Sequence, residues 1–526
     1  MKRTVLFLVI LLMTTALVFA AGASASGATT ANSITVEVFD RGTDGGRTNA
    51  TNNAWTDWIK EKVRRDLGIE VTFQAVGRWS ETTDMPNLLA SGSAPDLCYT
   101  YNTQMISMFR DYGGILNLTP YIDRLLPDMK RLLGTDPAIR GQDFIYRDRD
   151  PVTGRIFSIP SYVIEARASQ RNIFIRKDWL DRLGLPLPRT TQEFYNALVA
   201  FRDRDPGNVG RANVVPFAQD SDARWGFASI VHAFFDPNLS DRDMWIYRFS
   251  DRPIYVPGYK EGMRMMNQWY NEGLIYHDFP LMTVADDFFN LLKTGFVGAF
   301  SGNWDLPWRT DYMIAEQMAV NVRGAEFVPV DCIQSPNGIT SKDISDKPGL
   351  RIFVPAASSG KAEAALRYLN WLCLYENFHF LQVGNPGVNH NMVNGVPQII
   401  AATGPWIQNS SQNIDLTMPM NGVEMMNFDL TSRVLALSYG NTPPEVIVNA
   451  NNISIINGRA PVVYQAATTK DGLYNAVLSD KADDLIAQAV TARPADFDRI
   501  WDAGIRDWLQ SGAQEVMDER AALWPR

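Results

Sequence analysis

Between residues 34 and 76 the apolar positions change period twice. Ile34, Val36 and Val38 alternate with Thr35, Glu37 and Phe39, the spacing of a strand. Trp55, Ile59, Val63 and Leu67 then recur at helical spacing, Gly68 is placed to cap that helix, and Ile69, Val71, Phe73 and Ala75 alternate again. Strand, helix and strand in this order predict a right-handed crossover within a parallel sheet.

Residues 154–210 contain a second such series. Residues 155–160 and 172–176 alternate as short strands, with Pro160 ending the first because it has no N–H to donate. A short helix over 177–183 follows, with Gly184 as its cap and Pro186 and Pro188 blocking continuation. Thr190 and Glu193 have capping-box spacing, ahead of a helix that carries Phe194, Leu198 and Phe201 on one face. Farther on, residues 293–300 read as a strand that opens onto Ser301-Gly302-Asn303-Trp304, and residues 349–355 read as another. Ser358 or Ser359 is the expected cap of a helix with Leu366, Leu369 and Cys373 on one face. Phe497, Ile500, Trp501, Ile505 and Leu509 mark a closing helix, whereas residues 388–457 read as loops, and there is no internal repeat.

Gly154-Arg155-Ile156-Phe157-Ser158-Ile159-Pro160, the run 174–193 and the turn Asp205-Pro206-Gly207-Asn208-Val209-Gly210 come in an order that resembles the extracellular solute-binding proteins of ABC importers, specifically the large sugar-binding branch called family 1, including its lipoprotein-type members. The run 88–97, Gly113-Gly114-Ile115-Leu116-Asn117-Leu118-Thr119, the run 269–275 and the run 293–300 are similar to further signatures of that family. The resemblance covers nearly all of the chain after its leader. It implies an α/β, two-lobe periplasmic-binding-protein-like fold (type II), with discontinuous lobes joined by a hinge. The expected lobes are 31–160 plus about 349–410, and 161–348 plus about 411–526, with the hinge in 161–169 and returning crossings near 343–348 and after Val383. Asp203, Asp205, Asn208 and Asn213 are similar to a calcium loop of some relatives, but the later acidic ligands are missing, and a plain turn is the preferred reading.

The 526 residues are too many for one ordinary core. A formal net charge of −9 with no Lys/Arg block argues against nucleic acid and anionic membranes as partners. Lys2 and Arg3 ahead of an apolar run and then small residues form a secretory signal peptide, assigned to 1–25. No cysteine lies near the cleavage site, so an unlipidated, periplasmic monomer is expected. Cys98, Cys332 and Cys373 lack metal or redox spacing; buried thiols are the simplest reading, with room for one disulfide.

The four histidines form no HExxH pair, there is no GxSxG elbow, and Pro355 stands where a phosphate loop ending in Gly360-Lys361 needs glycine. No catalytic residue, metal or cofactor is therefore assigned. Trp55, Trp79, Trp225, Trp245, Trp304 and Trp308 fall near predicted turns, whereas Trp179 and Trp501 sit on amphipathic faces and read as core. An indole offers a flat apolar face to a sugar ring while carboxylates and amides meet its hydroxyls. Ligands of open α/β sheets sit beyond the carboxyl ends of strands, which makes the 301–305 turn a binding loop. The candidate ligand residues are Asn303, Trp304 and Asp305 from the second lobe, Asp40 and Trp79 opposite, Tyr162 and Glu165 at the hinge, and Trp225 flanking.

Together with the resemblance, this implies capture of a carbohydrate, an oligosaccharide by the size of the chain, and its delivery to the transmembrane subunits of an ABC permease. One alternative keeps the fold and changes the ligand to a peptide or other polar solute. The alternative of a different class is a secreted polysaccharide-active enzyme, since a glycosidase needs only two carboxylates at a separation no sequence reveals.

Overall fold

The computed structural model describes residues 32–42, 49–102, 105–133, 145, 149–150, 153–162, 172–248, 253–309, 312–331, 333–335, 338, 350–408, 413–420, 422–423, 425, 427–439, 442–455 and 468–524. The signal segment, Glu165 and Cys332 lie outside them, as does most of the expected hinge. The strands are β1 (Ser33–Asp40), β2 (Glu70–Gly77), β3 (Cys98–Thr100), β4 (Ile159–Pro160), β5 (Asn172–Arg176), β6 (Val215–Ala218), β7 (Val297–Gly302), β8 (Phe327–Val330), β9 (Arg351–Phe353), β10 (His390–Val393) and β11 (Val396–Ile399).

β1 and β2 pair in parallel across the helix Ala54–Leu67, as the first periodicity predicts. Asn53 starts that helix by accepting from the Trp55 and Thr56 amides, and Gly68 ends it at φ 68°, a left-handed conformation that costs glycine little. β3 joins β1 through Glu37 N–H donating to Leu97 O (3.0 Å) and Asp96 N–H donating to Thr35 O (2.7 Å). β9 is antiparallel to both β3 and β4, so the first sheet runs β2–β1–β3–β9–β4. The second sheet runs β6–β7–β5–β8, with β6 and β7 parallel and β5 antiparallel to both of its neighbours.

The second sheet is buried on both faces, and its sequence shows how. In β5, Ile173 and Ile175 join one apolar cluster with Phe194, Leu198, Phe201, Trp179, Trp269, Ile486 and Trp501. Phe174, between them, points the other way into a cluster with Phe300, Trp308 and Phe327 that continues through Leu435 and Ala450 to Val36, Leu97 and Ile352 of the first sheet. Period-two alternation with apolar residues on both sides is what a sheet covered on both faces requires.

The helix Lys177–Leu183, its Gly184 cap at φ 66° and the Thr190–Glu193 capping box all appear as expected. Four expectations need correction. Residues 388–457, read as loops, contain the hairpin β10–β11 and the helices Phe428–Ser438 and Pro444–Ile455, the first started by Asn427, whose side chain accepts from Leu430 N–H. The strand read over 293–300 is Val297–Gly302, because Lys293 still belongs to the helix Ala285–Lys293. Only Ile159 and Pro160 of the 155–160 run pair in a sheet, because Ile156 instead bonds the turn at Leu118 and Thr119. The serine cap fails as well: residues Ala356–Lys361 form a 3-10 turn, Lys361 precedes the helix Ala362–Leu372, and the Ser358 hydroxyl donates to the buried Asp96 carboxylate (2.7 Å). Cys98 and Cys373 are buried free thiols.

Candidate functional site

Strand register locates the site before any side chain is considered. In the first sheet, Asp40 lies opposite Gly77, Thr100 opposite Arg351, and Arg351 opposite Pro160, so the ends of β1, β2, β3 and β4 and the start of β9 share one edge. In the second, Ala218 is opposite Phe300, Gly302 opposite Asn172, and Ile173 opposite Val330, which puts the ends of β6, β7 and β8 and the start of β5 on one edge. The chain leaves the first edge after Pro160 and enters the second at Asn172; it leaves the second after Val330 and regains the first at Arg351. Both passages join the same two edges. Carboxyl ends of strands in open α/β sheets are where ligands bind.

Residues immediately past the first edge build a column of rings and guanidinium groups. The Arg78 guanidinium lies 4.4 Å from the Tyr101 ring centroid, 5.0 Å from that of Trp79 and 5.3 Å from that of Phe39. Phe39 and Tyr101 stack at 5.9 Å. Arg78 also donates from Nη1 to Glu81 (3.1 Å) at the start of the helix Glu81–Ser91. Trp79 is 74% exposed, so one face of its indole is fixed against Arg78 and the other is open. Asp40 is exposed, and its Oδ1 accepts from Gly42 N–H (3.0 Å).

Next to Asp40, Arg41 donates from Nε and Nη2 to the two oxygens of Asp415 (2.7 and 2.8 Å). Burial disfavours the Arg41 cation, but the bonds to and charge of Asp415 outweigh this and raise its pKa. Below this pair lies Glu37, fully buried; Tyr99 N–H donates to its Oε2 (2.9 Å), while Oε1 has no partner. Burial raises the Glu37 pKa well above the ordinary value, with Glu81 and Asp415 adding to the rise and the Tyr99 bond opposing it. Tyr162, two residues past β4, is buried, its N–H donating to Pro419 O (2.7 Å).

On the second edge, β7 runs into Asn303, Trp304 and Asp305. Asn303 is half-buried, whereas Trp304 is 3% exposed and packs edge-on against Tyr439 at 6.1 Å. Asp305 is buried; Arg309 donates to its Oδ1 from Nε (2.9 Å) and Nη2 (2.8 Å), and the Tyr439 hydroxyl donates to Oδ2 (2.5 Å). Both Asp305 oxygens thus hold the loop in place. Trp225 is half-buried in the short helix Ala223–Gly226 after β6, near Gln219, whose amide donates to Asp220 (2.6 Å).

Of the turn tryptophans, Trp55, Trp245, Trp304 and Trp308 are buried, Trp225 is half-buried, and Trp79 is open. The structure adds Arg41, Arg78, Tyr101, Asp415, Arg309 and Tyr439 to the surroundings of the candidate residues. Arg41, Arg78 and Tyr101 each lie one residue beyond a strand end, a signal the strand-end rule carries; Asp415 and Tyr439 come from the 388–457 run, which has no periodicity to announce them. Asp205 caps the helix Thr191–Arg204 and accepts from the Val209 and Gly210 amides, as a plain turn requires. Among the described residues no cluster of His, Cys, Asp and Glu is arranged to hold a metal, and no helix is long and apolar enough to cross a membrane. A depression of ≈ 440 Å³ lined by Tyr255, Lys260 and Trp501 contains none of the strand-end residues.

Two sheets, two chain passages that join their strand-end edges and the order β2–β1–β3–β9–β4 define the class: a two-lobe solute-binding protein fold. No family model matches the chain. Among curated proteins it is similar to the fructooligosaccharide ABC transporter substrate-binding protein FusA of Streptococcus pneumoniae, 25% identical over 41% of each chain. It is also similar to the polygalacturonan/rhamnogalacturonan-binding protein YtcQ of Bacillus subtilis, 21% identical over 82% of this chain and 80% of that one. Of solved structures, the alginate-binding protein AlgQ2 matches with TM-score 0.65 at 17% identity over 94% of this chain and 98% of its own. FusA bound to kestose matches with TM-score 0.65 at 15% identity over 93% and 98%. The resemblance to family 1 solute-binding proteins and the type II fold expected from the sequence are thereby borne out.

Proposed function

We propose that this chain is the solute-binding component of an ABC importer, which captures an oligosaccharide between its lobes and delivers it to the transmembrane permease subunits. One observation carries the reading most: an open indole, Trp79, beside an exposed carboxylate, Asp40, at a strand-end edge that two chain passages join to a second such edge. The relatives named for fructooligosaccharide, polygalacturonan and alginate binding support the ligand class. In this reading Asp40 and Trp79 contact the sugar from the first lobe and Asn303 from the second. Tyr162 and Glu165 act at the hinge, Trp225 flanks, and Trp304 and Asp305 shape the second lobe's loop. The hinge between the lobes is assigned to 161–169, with returning crossings near 343–348 and after Val383.

Capture works by population shift: a ligand that touches both edges stabilises the closed form by the amount it binds that form better than the open one. The protein binds without turnover, as an unlipidated periplasmic monomer. A thermal-shift screen against mono- and oligosaccharides tests this, because a ligand at one hundred times its dissociation constant stabilises the native state by ~2.7 kcal/mol. Shifts with peptides and none with any glycan would overturn the ligand class. Formation of shortened glycans on prolonged incubation would overturn the assignment as a binding protein.

A further inference from the structure

We infer that the cleft selects an uncharged oligosaccharide and rejects polyuronates. This rests on the reading of the cleft as a saccharide site and narrows it to a substrate class. A carboxylated sugar is recognised best by a guanidinium fork with free donors, which matches the two carboxylate oxygens. Arg41, Arg309, Arg224 and Arg78, at the two edges, already have carboxylates of this chain. Arg41 holds both oxygens of Asp415 at 2.7 and 2.8 Å. Arg309 holds Asp305 through Nε and Nη2 at 2.9 and 2.8 Å, with the Tyr439 hydroxyl closing the other oxygen. Arg224, beside Trp225, is ion-paired with Asp483 at 3.2 Å. Arg351, at the start of β9, is buried and has partners of its own.

Arg78 is the least saturated of them. Its Nη1 donates to Glu81 at 3.1 Å, while its buried Nε has no partner, and its faces are covered by Tyr101 and Trp79. Glu81 is itself buried, with one oxygen unpartnered, and burial raises its pKa against the opposing charge of Arg78. A uronate approaching Arg78 therefore meets Glu81 alongside Asp40 and Asp415. It either displaces Glu81, leaving a buried carboxylate without its cation, or stacks a third negative group against the pair; both oppose binding. Neutral hydroxyls, in contrast, can donate to the exposed Asp40 carboxylate while the sugar face lies on the open side of Trp79.

The test is calorimetry at neutral pH with two sets of ligands: neutral fructo-, gluco-, galacto- and manno-oligosaccharides, and oligogalacturonates and alginate oligomers. The expected result is a neutral ligand that binds at least 100-fold more tightly than any acidic one. An acidic ligand that binds the unaltered protein as tightly as the best neutral one overturns the inference and leaves the saccharide site standing. Failure of every saccharide in both sets overturns the site reading itself, and the inference with it. Glu81→Gln removes the competing charge from Arg78 and is expected to narrow the neutral-to-acidic ratio about tenfold, the low end for a charge-assisted bond. Asp415→Asn does the same for Arg41. Ratios unmoved in both variants, each with a cooperative melt, would show that internal pairing is not what excludes the uronate.

Discussion

Replacing Trp79 with alanine separates binding from folding more cleanly than any other change at the cleft. The side chain is 74% exposed, and its fixed contact is the Arg78 guanidinium at 5.0 Å. An exposed cation–π contact contributes ~0.5–1 kcal/mol, so Trp79→Ala should leave unfolding stability within about 1 kcal/mol of the parent. Binding is affected differently. A tryptophan that buries ~150–250 Å² has roughly 100 Å² on its free face, worth at most ~2.5 kcal/mol at ~25 cal/mol per Å². Some of that gain is lost to ordering the sugar, so a weakening of about 5- to 30-fold in Kd is expected, equivalent to ~1–2 kcal/mol. Calorimetry with the best saccharide from the screen measures the change in binding and urea unfolding the change in stability. The contrast is Trp304→Ala: that indole is 3% exposed, and truncating it should cost ~3–5 kcal/mol of stability, so a binding loss there would not be specific. A Trp79→Ala protein that binds within twofold of the parent would refute the stacking argument.

Three further changes test the surrounding framework. Tyr439→Phe removes the hydroxyl that donates to the buried Asp305 oxygen at 2.5 Å and should lower urea stability by ~1.5–3 kcal/mol, a loss below ~0.5 kcal/mol counting against that bond. Glu37 has a folded pKa above the usual 4.5, so the folded state keeps its proton where the unfolded chain has lost it; its stability contribution is full below about 4.5 and declines as pH rises through the folded value. Glu37→Gln should therefore gain stability relative to the parent between pH 4.5 and 8, and an equal difference at both pH values would contradict the assignment. At Gly258, φ is +92° and a Cβ would come within 1.8 Å of the Phe234 carbonyl oxygen, so Gly258→Ala should cost ~2 kcal/mol or more, read from the same urea midpoints.

What the sequence disclosed and what it withheld divide along a physical line. The capping box at Thr190, the Gly184 cap and the parallel pair β1–β2 are local: each depends on residues a few positions apart, and hydrophobic period or cap chemistry specifies them directly. The ring column at the first edge was half legible. Trp79 stood out as a tryptophan in a polar turn, but the partner that fixes its plane is the adjacent Arg78, which reads from sequence as any surface arginine. Asp305 shows the opposite limit. As a carboxylate in a loop past a strand it has the pattern of a ligand contact, yet a tyrosine 134 positions later and an arginine one helical turn away take both of its oxygens. Arg41 and Asp415 are 374 positions apart, and no local rule links them. A saccharide site needs acceptors oriented across two lobes, so its frame is assembled from long-range pairs like these, and sequence reasoning reaches the residues that end strands before it reaches the distant ones that orient them. The 388–457 run, read as loops, illustrates why: the hairpin β10–β11 and the helices Phe428–Ser438 and Pro444–Ile455 that it forms serve distant neighbours. Gln398 and Ile399 bond to Leu437 and Ser438, and Tyr439, the next residue, reaches across to Asp305. Sheet-edge contacts and the Asp305 anchor therefore place the helix Phe428–Ser438 as the brace between the hairpin β10–β11 and the turn 303–305 after β7, a role that only the folded chain reveals.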